Sequence, residues 1–253
     1  MFPADDHANE SEAHQRLREA ASLPSEGQEE LEVTEGLLYV CMREFKNGKA
    51  PGMDGLEVRV LKESWEVISE EILWIVRECL RTGTFPERWK TGKLVILRKL
   101  NKPPGEIGSY RPITLLPVVG KLLEKVVARK IRHWMRESGI MDEDQFGFVP
   151  GRGTSDALGE LKARVTGSAA KYVAGVFVDI SGAFDNAWPP LLLEVLRRNR
   201  CPSNLYALVA DYLKGRSVVA ETRAERMRWY VEKGCPQGSV LGPSYGTSSC
   251  TTG

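Results

Sequence analysis

VFVDISGAFDNAW, residues 176–188, decides how the chain is read. An apolar run from Tyr172 to Val178 stops at a carboxylate, Asp179, and a second one, Asp185, follows an aromatic six residues later. The pattern predicts a buried strand whose last residue leaves the apolar layer. An ionised carboxylate is costly to bury without a partner, but at a strand end it can meet water, cap a turn or face a cleft. Turn formation is the commoner use of such an Asp, so its meaning depends on what surrounds it.

Upstream, the periodicity from Glu35 predicts a helix that stops at NGKAPGMDG, residues 47–55, where glycines and a proline force a loop. Residues 56–80 repeat apolar side chains at helical spacing and end at Gly83. Leu94 to Leu97 reads as a short strand leading into Arg98, Lys99 and Lys102, and the Pro/Gly stretch after it opens onto SYRPITLLP, residues 109–117, so positive charge sits at a strand exit and on both sides of a loop. Residues 118–135 form an amphipathic helix with Lys and Arg on its polar positions, followed by a Gly-rich turn in which Ser155 or Asp156 can cap a further helix. Beyond the opening stretch come a helix begun by Pro189 and Pro190, a second near 204–213, and short strands at 217–222 and 227–232. Strands and helices mix without a βαβ repeat, which predicts an α+β layered fold.

Composition narrows the function classes. With 253 residues and 42% hydrophobic residues the chain can bury a sizeable core. The five cysteines are scattered and form no CxxC pair, which argues against a disulfide framework and against zinc. The acidic start does not read as a signal peptide, and no apolar run reaches the roughly 20 residues of a membrane span. An intracellular protein is therefore expected, with neither membrane nor secretion. Net charge is +1, but residues 1–36 carry ten acidic against two basic residues, leaving 33 basic against 24 acidic in the remainder. A basic body behind an acidic, partly disordered leader suits a polyanionic partner. No Gly-Lys pair completes a Walker loop, and no Ser-His-Asp order can be assembled.

Five ordered blocks carry a resemblance: NGKAPGMDG, the stretch from FPERWK through SYRPITLLP to LLEKVV, DQFGFVPGRGTSDAL, VFVDISGAFDNAW and GCPQGSVLGP. Together they resemble the reverse transcriptases of non-LTR, LINE-like retrotransposons of the arthropod type. The resemblance implies right-hand polymerase fingers over residues 37–165 and a partial palm over 166–253, with an antiparallel palm sheet packed on helices. It implies RNA-directed DNA synthesis: magnesium-dependent transfer of a nucleotide from a dNTP to a primer 3′ hydroxyl. The partners it implies are an RNA template, a DNA primer or nicked target DNA, and dNTP. Nuclear action suits such a polymerase, although no targeting signal is found.

Carried over by position, the resemblance makes Asp179 the catalytic metal ligand, with the Ile180 carbonyl beside it and two Mg²⁺ ions expected in a complete enzyme. Hard oxygen ligands suit that ion. Lys99 and Arg111 match basic residues that grip the triphosphate, the arginine as a fork and the lysine as a point charge. Phe184 matches an aromatic beneath the incoming sugar that rejects a 2′ hydroxyl by steric clash, and Gln237 and Gly238 match the segment that closes over the nascent base pair. Asp185 reads as structural. The family also carries an aromatic-Ala-Asp-Asp hairpin after the PQG block. This sequence lacks it, the only Asp-Asp pair being Asp5-Asp6, and a truncation or frame change near Ser244 is expected. Three readings stay open: the polymerase, a catalytically inactive nucleic-acid or nucleotide-binding remnant, and a metal-dependent phosphotransferase on an unrelated fold.

Overall fold

The computed structural model describes residues 5, 9–29, 32–100, 102–141, 144–147, 149, 151–179, 186–221 and 225–234. Helix α1 (Glu12–Ser22) starts where the Ser11 hydroxyl accepts the His14 N–H, and α2 (Glu35–Arg43) starts where the Thr34 hydroxyl accepts from Leu37. Both are side-chain caps of the kind that satisfies an otherwise orphaned donor. The long helix expected at 56–80 is broken at Ser64 into α3 (Val58–Glu63) and α4 (Trp65–Thr82). A short α5 (Glu87–Lys90) leads into strand β1 (Thr91–Arg98).

Residues 109–117, where the sequence pattern predicts no strand, contain one, β2 (Tyr110–Leu115), paired antiparallel to β1. Pro112 hides it, because proline removes a ladder donor and marks loops more often than strands. The proline is tolerated because β2 is an edge of the sheet. Helix α6 (Val118–Glu137) follows, then α7 (Thr154–Gly167), α8 (Pro189–Arg198) and α9 (Ser203–Leu213). Strands β3 (Ser217–Glu221) and β4 (Arg226–Tyr230) complete a four-stranded sheet of order β2-β1-β3-β4.

The α+β class is as expected, but the sheet is mixed rather than wholly antiparallel. β1 and β3 run parallel, with Thr91 opposite Ser217 and Lys93 opposite Val219. Because β3 and β4 follow residue 166 and β1 and β2 precede it, the sheet joins chain from both sides of the 165/166 boundary.

The main core lies among the helices. One stripe of α6 (Leu122, Leu123, Val126, Val127, Ile131) is at most 1% exposed, and it meets α2 on one side and α9 on the other. Each such side chain contributes about 1.5–3 kcal/mol on leaving water. Helix α1 lies on α8, and α8 on α9. A polar clamp ties α9 to the start of the sheet. Lys90, whose side chain is 2% exposed, pairs with Asp211 at 2.9 Å and Glu87 at 2.8 Å, while Asp211 also accepts the Phe85 N–H at 2.7 Å.

The opening stretch departs from expectation. Residues 172–179 form no strand, and Val176, Phe177 and Val178 are 84–89% exposed. Between 151 and 179 only Ala157 is even half-buried. An apolar run measures the tendency to be buried, but a strand exists only where a neighbour supplies its ladder. Among the described residues none does so for 172–179.

Candidate nucleotide and nucleic-acid interface

Lys99 and Arg111 sit where the β1–β2 hairpin opens. Leu97 is the register partner of Arg111, and the Lys99 N–H continues the ladder by donating to the Ser109 carbonyl at 2.8 Å. Side chains alternate along a strand, so Lys99, two residues past Leu97, falls on the same face as Arg111. Diagonal neighbours of this kind lie about 7–8 Å apart, a span that two oxygens of one polyphosphate can bridge. The Lys99 ammonium donates to the Gly108 carbonyl at 3.0 Å, which folds it back over the hairpin. Arg111 is exposed, and its guanidinium makes no hydrogen bond or ion pair among the described residues. Two cations predicted far apart in sequence are thus brought onto one surface.

Asp179 is exposed at the end of the unpaired stretch, and its carboxylate accepts no hydrogen bond among the described residues. Ile180, Phe184, Gln237 and Gly238 lie outside the described residues. The Asp179 carboxylate is a hard oxygen donor, the ligand type that hard divalent cations take. No cluster of three metal-binding side chains occurs among the described residues.

The NGKAPGMDG loop packs onto the junction of β2 and α6. At Gly52 an added Cβ would fall 2.6 Å from the Leu116 carbonyl carbon, so the close approach depends on glycine. Lys46, Lys49 and Lys121 surround this contact, and burial lowers the Lys121 pKa against the pull of Glu124 and Asp54. Lys62 anchors the loop from below, donating to the Phe45 carbonyl at 2.5 Å.

A larger basic groove, of about 610 Å³, runs between α2 and α6 and is lined by Glu44, Arg129, Lys130, Arg132, His133 and Arg136. Burial, and after it the charge of the nearby Arg129, lowers the Arg132 pKa against the pull of Glu44. Glu44 is the acid in the groove. Burial pushes its carboxyl up, but hydrogen bonds and charge from Lys125 and Arg129 outweigh this and hold it below the usual range. The cationic spacing on α6 was visible in the sequence as basic residues on polar positions. The groove was not, because Glu44 lies 85 residues before Arg129.

A lone basic hairpin would be ambiguous, but its residues fall inside a recognised domain: residues 99–247 match the reverse transcriptase (RNA-dependent DNA polymerase) family. The chain belongs to that family. A putative 115 kDa protein of the type-1 retrotransposable element R1DM of Drosophila melanogaster is 37% identical over 204 residues, covering 80% of this chain and 20% of that protein. The RNA-directed DNA polymerase from the mobile element jockey of the same fly is 32% identical over 218 residues, 82% of this chain and 24% of the relative. A probable RNA-directed DNA polymerase from its transposon X-element is 34% identical over 200 residues, 78% and 22% respectively. The chain spans about a fifth to a quarter of the length of these relatives. No helix among the described residues is long and apolar enough to cross a membrane.

Proposed function

We propose that the chain contributes fingers and part of the palm to an RNA-directed DNA polymerase of a non-LTR retrotransposon. The observation that carries this reading is the family match over 99–247, which contains Lys99, Arg111, Asp179, Phe184, Gln237 and Gly238 in one ordered run. Arg111, exposed and unpaired among the described residues, is suited to hold phosphate oxygens of a dNTP as a fork, with Lys99 adding a point charge on the same face. Asp179 would hold Mg²⁺ together with carboxylates from elsewhere. Bound there, the metal supplies a lowered pKa for the attacking 3′ hydroxyl and positive charge for the leaving phosphates. The basic groove between α2 and α6 suits the phosphates of a template or primer strand.

A second reading, binding of nucleic acid or nucleotide without turnover, is favoured by the exposure of Val176, Phe177 and Val178 beside Asp179. Primer extension on an RNA template separates the two. Templated, Mg²⁺-dependent extension that disappears in Asp179→Asn supports the polymerase. Extension unchanged in that variant removes Asp179 from catalysis, and strand binding without any extension leaves the second reading.

A further inference from the structure

Arg216 is a buried cation that forms no ion pair among the described residues. It lies in the turn between α9 and β3, is 4% exposed, and rests its guanidinium over the Tyr212 ring at 4.7 Å. Its Nε has no hydrogen-bond partner, and no acidic group pairs with it among the described residues. A guanidinium does not shed its proton in a protein, so burial cannot be relieved by neutralisation. Cation–π contact compensates only part of the lost hydration, and an anion is the group that completes the balance.

A cavity of about 470 Å³ opens beside it, where α1, the start of α8, the end of α9 and residues 230–232 meet. Lys214 and Arg216 line it from the two sides of Gly215, whose φ of +66° turns the chain sharply between them. The acids in the wall are already engaged. Asp5 accepts from Arg18 and from the Trp188 indole and pairs with Lys233 at 3.3 Å, and Glu232 accepts the Asp5 N–H at 3.0 Å. Pro189 and Pro190 add apolar wall without donors, and Tyr230, 65% exposed, offers a ring at the rim. Positive charge at the floor, acids turned to other partners and an aromatic edge together select for a phosphate carried on a larger group.

We propose that this cavity binds a phosphate group, with Arg216 and Lys214 as its counter-charges. The site goes beyond the proposed dNTP grip and lies at the opposite end of the sheet. Ser217, next to Arg216, is paired with Thr91, the first residue of β1, whereas Lys99 lies beyond its last residue. Eight strand residues separate the two sites by about 26 Å. The volume is right for a nucleotide unit, whose base can lie on Tyr230.

The phosphate could come from a nucleic-acid strand or from a free anion, and two probes distinguish them. Inorganic pyrophosphate is titrated against thermal unfolding of the intact chain, and a labelled single-stranded RNA is bound at several salt concentrations. Each is repeated with Lys214→Gln, an exposed position whose change spares the core, and with Arg216→Gln. If a strand phosphate is the ligand, each variant lowers the slope of log affinity against log salt by about 1. If a free anion is the ligand, pyrophosphate raises Tm in the wild type and not in Lys214→Gln. A wild type unmoved by pyrophosphate, with an RNA salt slope unchanged by Lys214→Gln, overturns the proposal. Loss of primer extension in Asp179→Asn has no bearing on these readouts, so the two proposals fail separately.

Discussion

Replacing Asp211 by Ala tests how the sheet is fixed to the helices. The change strands two groups at once: Lys90, 2% exposed, keeps only Glu87, whose side chain is 77% exposed, and the Phe85 N–H loses its acceptor. Removing one partner of a fully buried pair costs about 3–5 kcal/mol. Asp211 is 33% exposed, which reduces the pair's share, and the orphaned backbone donor adds about 1 kcal/mol. A net loss of about 3 kcal/mol is expected. Lys90→Met should cost less, about 1 kcal/mol, because its apolar stem is kept and Asp211 can turn to water while still accepting from Phe85. The double variant should be less destabilised than the two losses combined, by about 2 kcal/mol. Urea unfolding at neutral pH measures all three. Equal losses in the single variants, or simple additivity in the double, would refute the clamp as the element that holds α5 and β1 to α9.

Gly52→Ala should destabilise by about 2 kcal/mol or more, since its Cβ would meet backbone atoms of Leu116 and Pro117 that cannot swing aside, and the same unfolding curves report it. Glu44 predicts a pH effect of definite sign. Its folded pKa lies below the ordinary glutamate value, so its contribution is complete above that ordinary value and is lost as pH falls through the lower folded one. Glu44→Gln should flatten the acid limb of a stability-against-pH profile, and raised salt should shrink the difference from wild type.

Much of the helical layer was legible because the stripes that name a helix are those that bury it. The stop at Gly83, the loop at NGKAPGMDG and the proline-led start of α8 are decided locally, by backbone freedom and by missing donors. The sheet was less legible. Pro112 disguised β2, and the parallel pairing of β1 with β3 depends on contacts between residues 126 apart, which no local pattern encodes. The stretch around Tyr172 shows the reverse failure: its apolar residues are those of a strand, but its ladder requires a neighbour that local sequence cannot name. Of the site, Lys99 and Arg111 could be picked out only by resemblance, and their common face only from the register. Arg216 gave a faint mark, a basic residue on each side of a glycine between helix and strand, too common a pattern to single out without its burial.

The junction of β1 and β3 has a consequence for how the chain tolerates change. Zipping these strands together closes a loop of more than a hundred residues, and that loop contains the exposed run from 151 to 179. The entropy lost on closing a loop rises only with the logarithm of its length, so that doubling it costs about 0.6 kcal/mol. Extra residues introduced between α7 and Tyr172 would lengthen a tether that is already long and displace nothing packed. Evolution or an engineer can therefore graft new sequence there at little thermodynamic penalty, while a similar insertion within β1 or β2 would break a register on which Lys99 and Arg111 both depend.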